Sequence, residues 1–107
     1  MGVFVNAEHA TAAVDSGGGV FNTTVSYTTA VTPAGGVASP QYSTSSPDMD
    51  LGTGAGTSTV VDAAGTPMSD NLQLLLKPGH TKPGVVQIDI AVTSGSNTGH
   101  GAAVVIL

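Results

Sequence analysis

The sequence predicts an all-β domain: a small antiparallel β-sandwich, jelly-roll-like fold or barrel of about seven strands, with at most one short helix. First, apolar and polar residues alternate with a period of two over much of the chain, which is typical of strands that bury one face. Second, clusters of glycine, proline and serine separate these stretches. Third, 107 residues without cysteine fit one domain, residues 1–107, with a modest core and no disulfide framework.

The N-terminal third contains one short strand candidate, one helix candidate and the clearest strand. GVFVN at Gly2–Asn6 is the short strand. AEHATAAVD at Ala7–Asp15 could form a turn or two of helix, but a run of glycines follows closely. FNTTVSYTTAV at Phe21–Val31 alternates throughout. Its odd-numbered residues form one face, which we expect to place Phe21 and Tyr27 in the core.

The middle of the chain has weaker periodicity. Strands are predicted at Gly36–Ser43 and Thr57–Ala63. The stretch SPQYSTSSPDMDLGTGAGTST, Ser39–Thr59, lacks a sustained period and predicts a long surface loop. Loops of this length often carry binding residues, so we expect a partner contact here.

The C-terminal third contains three strand candidates and both lysines. Strands are predicted at Asn71–Lys77, Val85–Thr93 and Gly101–Leu107, the last paired into a sheet. Two Pro-Gly pairs in the intervening KPGHTKPG predict turns, so the first two strands should form a hairpin or hairpin-like connection with a long tip. Lysines at such a tip would oppose sheet-to-sheet association, or would meet an acidic surface of a partner.

The charge composition excludes several classes of partner. Charged residues are 8% of the chain and the net charge is −5. Two lysines form no basic patch, which excludes nucleic-acid binding and a polybasic membrane surface. No basic segment followed by an apolar run opens the sequence, and no run reaches the roughly 20 apolar residues of a membrane span, so we expect synthesis and assembly in the cytoplasm. With so few charges, much of the surface is expected to be covered by other subunits.

The motifs give no catalytic, cofactor or metal site. His9, His80 and His100 lack metal-ligand spacing, and the latter two are predicted in glycine-rich turns. Asp48 and Asp50 in PDMDLG lie beside glycine as in a calcium loop, but no bidentate glutamate follows. GTGAG is not followed by the Lys-Ser/Thr of a phosphate-binding loop. The sequence therefore predicts a protein that is not an enzyme.

In general character, over the whole chain, the sequence resembles the decoration or cement proteins that bind the outside of tailed-bacteriophage capsids. No diagnostic motif carries the resemblance, and no functional residue is transferred by it. It implies a structural virion protein on the capsid exterior, a homotrimer that binds the major capsid protein across capsomer seams, where many weak contacts sum by avidity. The predicted partner contacts, from the N-terminal segment, the central loop and the lysine tip, are Val3, Phe4, Val5, Tyr42, Asp48, Asp50, Lys77, His80 and Lys82.

The alternative interpretation is a β-sandwich recognition module, such as an adhesin or carbohydrate-binding domain of a fibre or surface protein. Sugar-binding faces usually present aromatic platforms. This chain offers only Phe4, Phe21, Tyr27 and Tyr42, two of which are expected in the core. A subunit of a tail or of another virion structure would have the same composition and architecture as a capsid decoration protein, and the sequence does not distinguish between them.

Overall fold

A computed structural model describes residues 2–7, 10–32, 35–52 and 54–107, and confirms the all-β class. Its elements within these ranges are ten strands and no helix, so no described segment is a helix long and apolar enough to cross a membrane. The strands are β1 (Gly2–Asn6), β2 (Thr11–Ala12), β3 (Val14–Asp15), β4 (Val20–Thr32), β5 (Val37–Ser43), β6 (Met49–Leu51), β7 (Thr59–Val60), β8 (Thr66–Leu76), β9 (Val85–Ser94) and β10 (Asn97–Ile106).

The strands form two five-stranded sheets that pack against each other as a sandwich. The first sheet has the order β1-β4-β8-β6, and β3 also pairs with β4. The second has the order β2-β10-β9-β5-β7. Among the described pairs, β2 and β10 are parallel and the others are antiparallel. The chain therefore passes repeatedly between the sheets.

The core lies between the two inner faces, where the predicted alternation places it. On β4 the odd-numbered Phe21, Val25 and Tyr27 are buried, while the even-numbered residues between them are exposed. On β9 of the facing sheet, Ile88 and Ile90 are at most 1% exposed. Each fully buried aliphatic side chain contributes about 1.5–3 kcal/mol, so these two inner faces are the main source of stability.

The two sheets come closest where β1 crosses β10. A Cβ atom on Gly99 would lie 2.3 Å from the main-chain oxygen of Val3, and one on Gly101 would lie 2.7 Å from a Val5 methyl group. Both contacts are shorter than a side chain allows. These two glycines of β10 thus permit β1 to pack directly on the second sheet and to close that side of the sandwich.

All seven predicted strands are present, and the higher count comes from short strands. The pairs of residues in β2 and β3, and the three residues of β6, are too short to show a period. The predicted helix over Ala7–Asp15 is wrong where the structure describes it, because β2 and β3 occupy its second half; Glu8 and His9 lie outside the described residues. His100 is also not in a turn, because β10 begins at Asn97.

The predicted hairpin across the lysine tip is wrong. β8 pairs with β4 and β6 in the first sheet, whereas β9 pairs with β5 and β10 in the second. Turn geometry is present at Pro78-Gly79, where Gly79 has a φ of 79°, but the segment crosses between sheets. Part of the predicted loop Ser39–Thr59 is strand, since β5 extends to Ser43 and β6 lies within the range. One described residue of that range, Ala55, bridges back to β5, while Thr53 is outside the description.

Candidate functional site

Four predicted contact residues meet at the end of the sandwich where β8 finishes. β6 pairs with the end of β8, so the acidic segment lies beside the lysine tip. The Lys77 main-chain N–H donates to the carbonyl oxygen of Asp48 at 2.8 Å, and its Nζ lies 3.8 Å from Asp50 Oδ1. His80 Nδ1 shares a 3.0 Å hydrogen bond with Asp48 Oδ1. Two segments that the sequence analysis treated as separate contacts are therefore one polar cluster.

This polar cluster is internally paired and exposed. The side chains of Lys77 and Asp50 are 36% and 63% exposed, so solvent screens their attraction and the pair contributes about 0–1 kcal/mol. Lys82 has a different environment, with Nζ 5.8 Å from the centre of the Phe21 ring. It has no ion pair among the described residues. Lys82 is therefore the cation that an acidic partner could reach without displacing an internal carboxylate.

The N-terminal contact residues lie at the other end of the molecule. Val3 pairs with Val31 on β4, ten residues along that strand from Phe21, which corresponds to roughly 33 Å. Val3 is 9% exposed and belongs to the core, and Val5 is half-buried against it. Phe4 points outward and is 62% exposed. Of the three predicted contact residues in this segment, Phe4 is the one whose side chain is exposed.

Tyr42 is buried rather than available to a partner, and it is 4% exposed. Its hydroxyl lies 2.7 Å from the Tyr27 hydroxyl and donates a short hydrogen bond to Asp70 Oδ2. The two rings meet edge to face with centroids 6.1 Å apart. Asp70 also accepts a 3.1 Å hydrogen bond from the Thr57 N–H. Since Tyr42 is on the second sheet and the other two are on the first, this network joins the sheets.

Burial raises the pKa of both tyrosines, because a phenolate between the sheets would lose its hydration. For Tyr42 the hydrogen bond to Asp70 raises the pKa further, since the bond requires the proton. For Tyr27 the hydrogen bond shared with Tyr42 lowers the pKa, and the effect of burial outweighs it. Both phenols are held protonated, which suits a structural clamp and not a general base.

The strand pattern alone does not predict this network. Asp70 shares the inward face of β8 with Met68, Leu72 and Leu74, which are buried. A carboxylate at an apolar position of a strand is a signal that a buried hydrogen-bond donor faces it. That signal identifies Asp70 but does not identify Tyr42, because the partner lies on a different sheet.

A surface groove of about 800 Å³ is lined by residues of β2, β3, the first part of β4 and the facing part of β8. Its polar walls come from paired residues of β4 and β8: Asn22 opposite Gln73, and Thr24 opposite Asn71. The Thr24 hydroxyl donates to Asn71 Oδ1 at 2.8 Å. None of the described residues that line the groove is ionisable. The described lining therefore offers amide and hydroxyl groups and no acid or base.

Within the described ranges, no three His, Asp or Glu side chains converge as a metal site would require. The Asp48–Asp50 segment, considered above for calcium, directs its carboxylates to His80 and Lys77. His100 lies on the outward face of β10.

No family model and no curated protein sequence matches this chain. Among solved structures, the N-terminal domain of PorA matches with a TM-score of 0.51 and 9% identity, covering 96% of each chain. A family 123 glycoside hydrolase from Clostridium perfringens matches with a TM-score of 0.41 and 8% identity, over 92% of this chain and 22% of the hydrolase. At these identities the likeness to the PorA domain concerns the fold alone.

Proposed function

We propose that this protein is a non-catalytic structural domain that attaches to a larger assembly, and specifically that it decorates the outside of a capsid shell by binding the major capsid protein. The observation that carries the proposal is the placement of the aromatic residues. Phe21, Tyr27 and Tyr42 are 4–5% exposed, whereas Phe4 is 62% exposed at one end of the sandwich. Exposed aromatic side chains are frequent anchors of protein interfaces, because they bury a large area at little entropic cost.

The rest of the described surface favours attachment to a partner over catalysis. The groove along β4 and β8 has no ionisable side chain among its described lining residues, and the polar cluster at the lysine tip is internally paired. A capsid offers many symmetric copies of one binding site. Modest contacts at each site, centred on Phe4 and supplemented by Lys82, would then sum by avidity.

Co-sedimentation with empty capsids tests this proposal. Deleting β1 is a poor test, because β1 pairs with β4 and packs on β10. Phe4→Ser removes the anchor and leaves the strand. Val14→Ser is the matched control, since Val14 is 68% exposed on the same sheet near its opposite end. We expect the first variant to lose capsid binding and the second to keep it. Binding by neither the wild type nor the control would overturn the proposal.

A carbohydrate-recognition module is the second candidate, and the neutral amide and hydroxyl groups of the groove favour it. Asn22, Asn71 and Gln73 could hydrogen-bond sugar hydroxyls. Three of the four aromatic side chains are buried, so only Phe4 is exposed to stack against a sugar ring. A glycan array decides between the two: binding that is lost in Asn71→Ala would transfer the assignment to this candidate.

A further inference from the structure

The exposed apolar residues are concentrated on one face. Of the seven large hydrophobic side chains that are exposed among the described residues, five point outward from the second sheet. We call this surface the outer face of the second sheet. It comprises the outward-pointing residues of β5, β9 and β10, with Ala12 of β2 and Val60 of β7. The five apolar residues on it are Val37, Val60, Val85, Val104 and Ile106.

These five residues occupy two opposite corners of that face. Val85 pairs with Ile106, and Val104 is next to them on β10, which makes an apolar corner with 42–59% exposure per side chain. Val37 pairs with Val60, 51% and 63% exposed. Because β5 runs antiparallel to β9, this second pair lies beyond the C-terminal end of β9, whereas Val85 is at its N-terminal end. The corners are diagonally opposed.

The outer face of the first sheet has a different composition and provides an internal comparison. Its central pairs are polar: Asn22 with Gln73, Thr24 with Asn71, and Ser26 with Ser69. On the outer face of the second sheet, the ionisable side chains of β5, β9 and β10 are Asp89 and His100, both between the apolar corners. Of the two broad faces, the second-sheet face is therefore the one that gains from removal of its apolar residues from water.

We propose that a second copy of this chain packs on the outer face of the second sheet, related by a two-fold axis lying in the plane of that face. A two-fold axis along the diagonal that joins the two corners places each apolar corner against the same corner of the second copy. An axis perpendicular to that diagonal places each corner against the opposite corner of the second copy. Both arrangements satisfy the self-complementarity that a two-fold interface requires. An unrelated partner would need its own pair of apolar patches at the same spacing.

The size of the face agrees with a dimer interface. From Val85 to Thr93 the face extends roughly 27 Å along β9, and its three longer strands, β5, β9 and β10, span roughly 10 Å between the outer strand axes. β2 and β7 have two residues each and widen the face only at opposite corners. A standard interface takes roughly 800 Å² per partner. That is about one seventh of the 5573 Å² that the domain exposes, so one broad face can supply it.

This inference deepens the proposed function, because it names the surface used for self-association and leaves Phe4 free for the capsid protein. The proposed pair is two-fold, whereas the resemblance to decoration proteins implies a trimer. Phe4 lies on the first sheet, so a dimer formed through the second sheet carries two separate anchors. Two anchors fit the bridging of adjacent capsomers.

Sedimentation velocity over a concentration series tests the pairing. Val104→Lys places a charge in one apolar corner at a position that is already 42% exposed, so the fold should tolerate it. Val37→Lys tests the opposite corner, and Thr24→Lys on the first sheet is the matched control. We expect a dimer for the wild type and the control. We expect at least about a tenfold increase in the dissociation constant for either corner variant, because a buried unpaired charge is unfavourable.

A monomeric wild type, a trimer, or a corner variant with an unchanged dissociation constant would overturn the inference. Circular dichroism of each variant shows that its strands are intact, so that loss of pairing is not loss of folding. Phe4→Ser should remain dimeric. A dimer that fails to bind capsids therefore refutes the proposed function alone, and a capsid-binding monomer refutes the pairing alone.

Discussion

Gly99 offers the sharpest test of how the two sheets are joined. A Cβ atom at this position would lie 2.3 Å from the main-chain oxygen of Val3 and 2.8 Å from its main-chain carbon. These are backbone atoms of a paired strand, so β1 must move as a unit to make room. We predict that Gly99→Ala destabilises the domain by about 1–3 kcal/mol, the usual cost of overpacking. At about 1 kcal/mol the melting temperature would already fall by roughly 4–8 °C.

Gly84→Ala is the control, because no atom lies within 4 Å of its added Cβ and its φ is not in the left-handed region. There the substitution only restricts the unfolded chain, so stability should stay equal or rise by about 0.4–1 kcal/mol. The assay is urea unfolding followed by circular dichroism at one fixed protein concentration, since association would change apparent stability. Equal stabilities for the two variants would falsify the close approach of β1 to β10.

Three further predictions concern polar groups. Thr29 is fully buried and its hydroxyl has no hydrogen-bond partner among the described residues, so Thr29→Val should stabilise the domain by about 1 kcal/mol in urea unfolding, whereas Thr29→Ser should not. Because the pKa values of Tyr27 and Tyr42 are raised in the folded state, their contribution to the free energy of unfolding is complete below pH about 10 and is lost at higher pH, where the unfolded chain ionises first. Tyr27→Phe should reduce the decline of stability with pH in this range, and an unchanged decline refutes the assignment. Replacing Lys77 with Met should change stability by less than about 1 kcal/mol, since its pair with Asp50 is exposed; a larger loss in the same assay would mean that the pair is not screened.

Local pattern was enough to find the strands but not to pair them. The alternation over β4 and β9 correctly indicates which residues of each strand face the core. The Pro-Gly turns after β8 indicate a change of chain direction, and they contain no information on which sheet receives the next strand. The pairing of β4 with β8 joins residues as far apart as Thr24 and Asn71, and nothing local specifies it.

The same limit separates the predicted contact residues that are exposed from those that are not. Ala38, Pro40 and Tyr42 alternate as the inward face of β5, so the pattern could have placed Tyr42 in the core. Tyr42 lies in both the predicted strand Gly36–Ser43 and the predicted loop Ser39–Thr59, and the irregular stretch after Ser43 favours the loop. The pairing of Asp48 with His80 depended on β6 aligning with the end of β8, and three residues are too few for a periodic signal.

The chain covers parts of its strand edges with its own segments. Natural sheets often protect their edges with lysines, but the outer edge of β5 is closed by the chain itself: the Tyr42 N–H donates to the Gly54 carbonyl, and the Gly56 N–H to the Pro40 carbonyl. The edge of β10 is closed at its end by β2. Lys77 and Lys82 are therefore not required to protect these parts of the β5 and β10 edges. Of the two broad faces, the one bearing Val85, Val104 and Ile106 exposes the apolar area that association would bury.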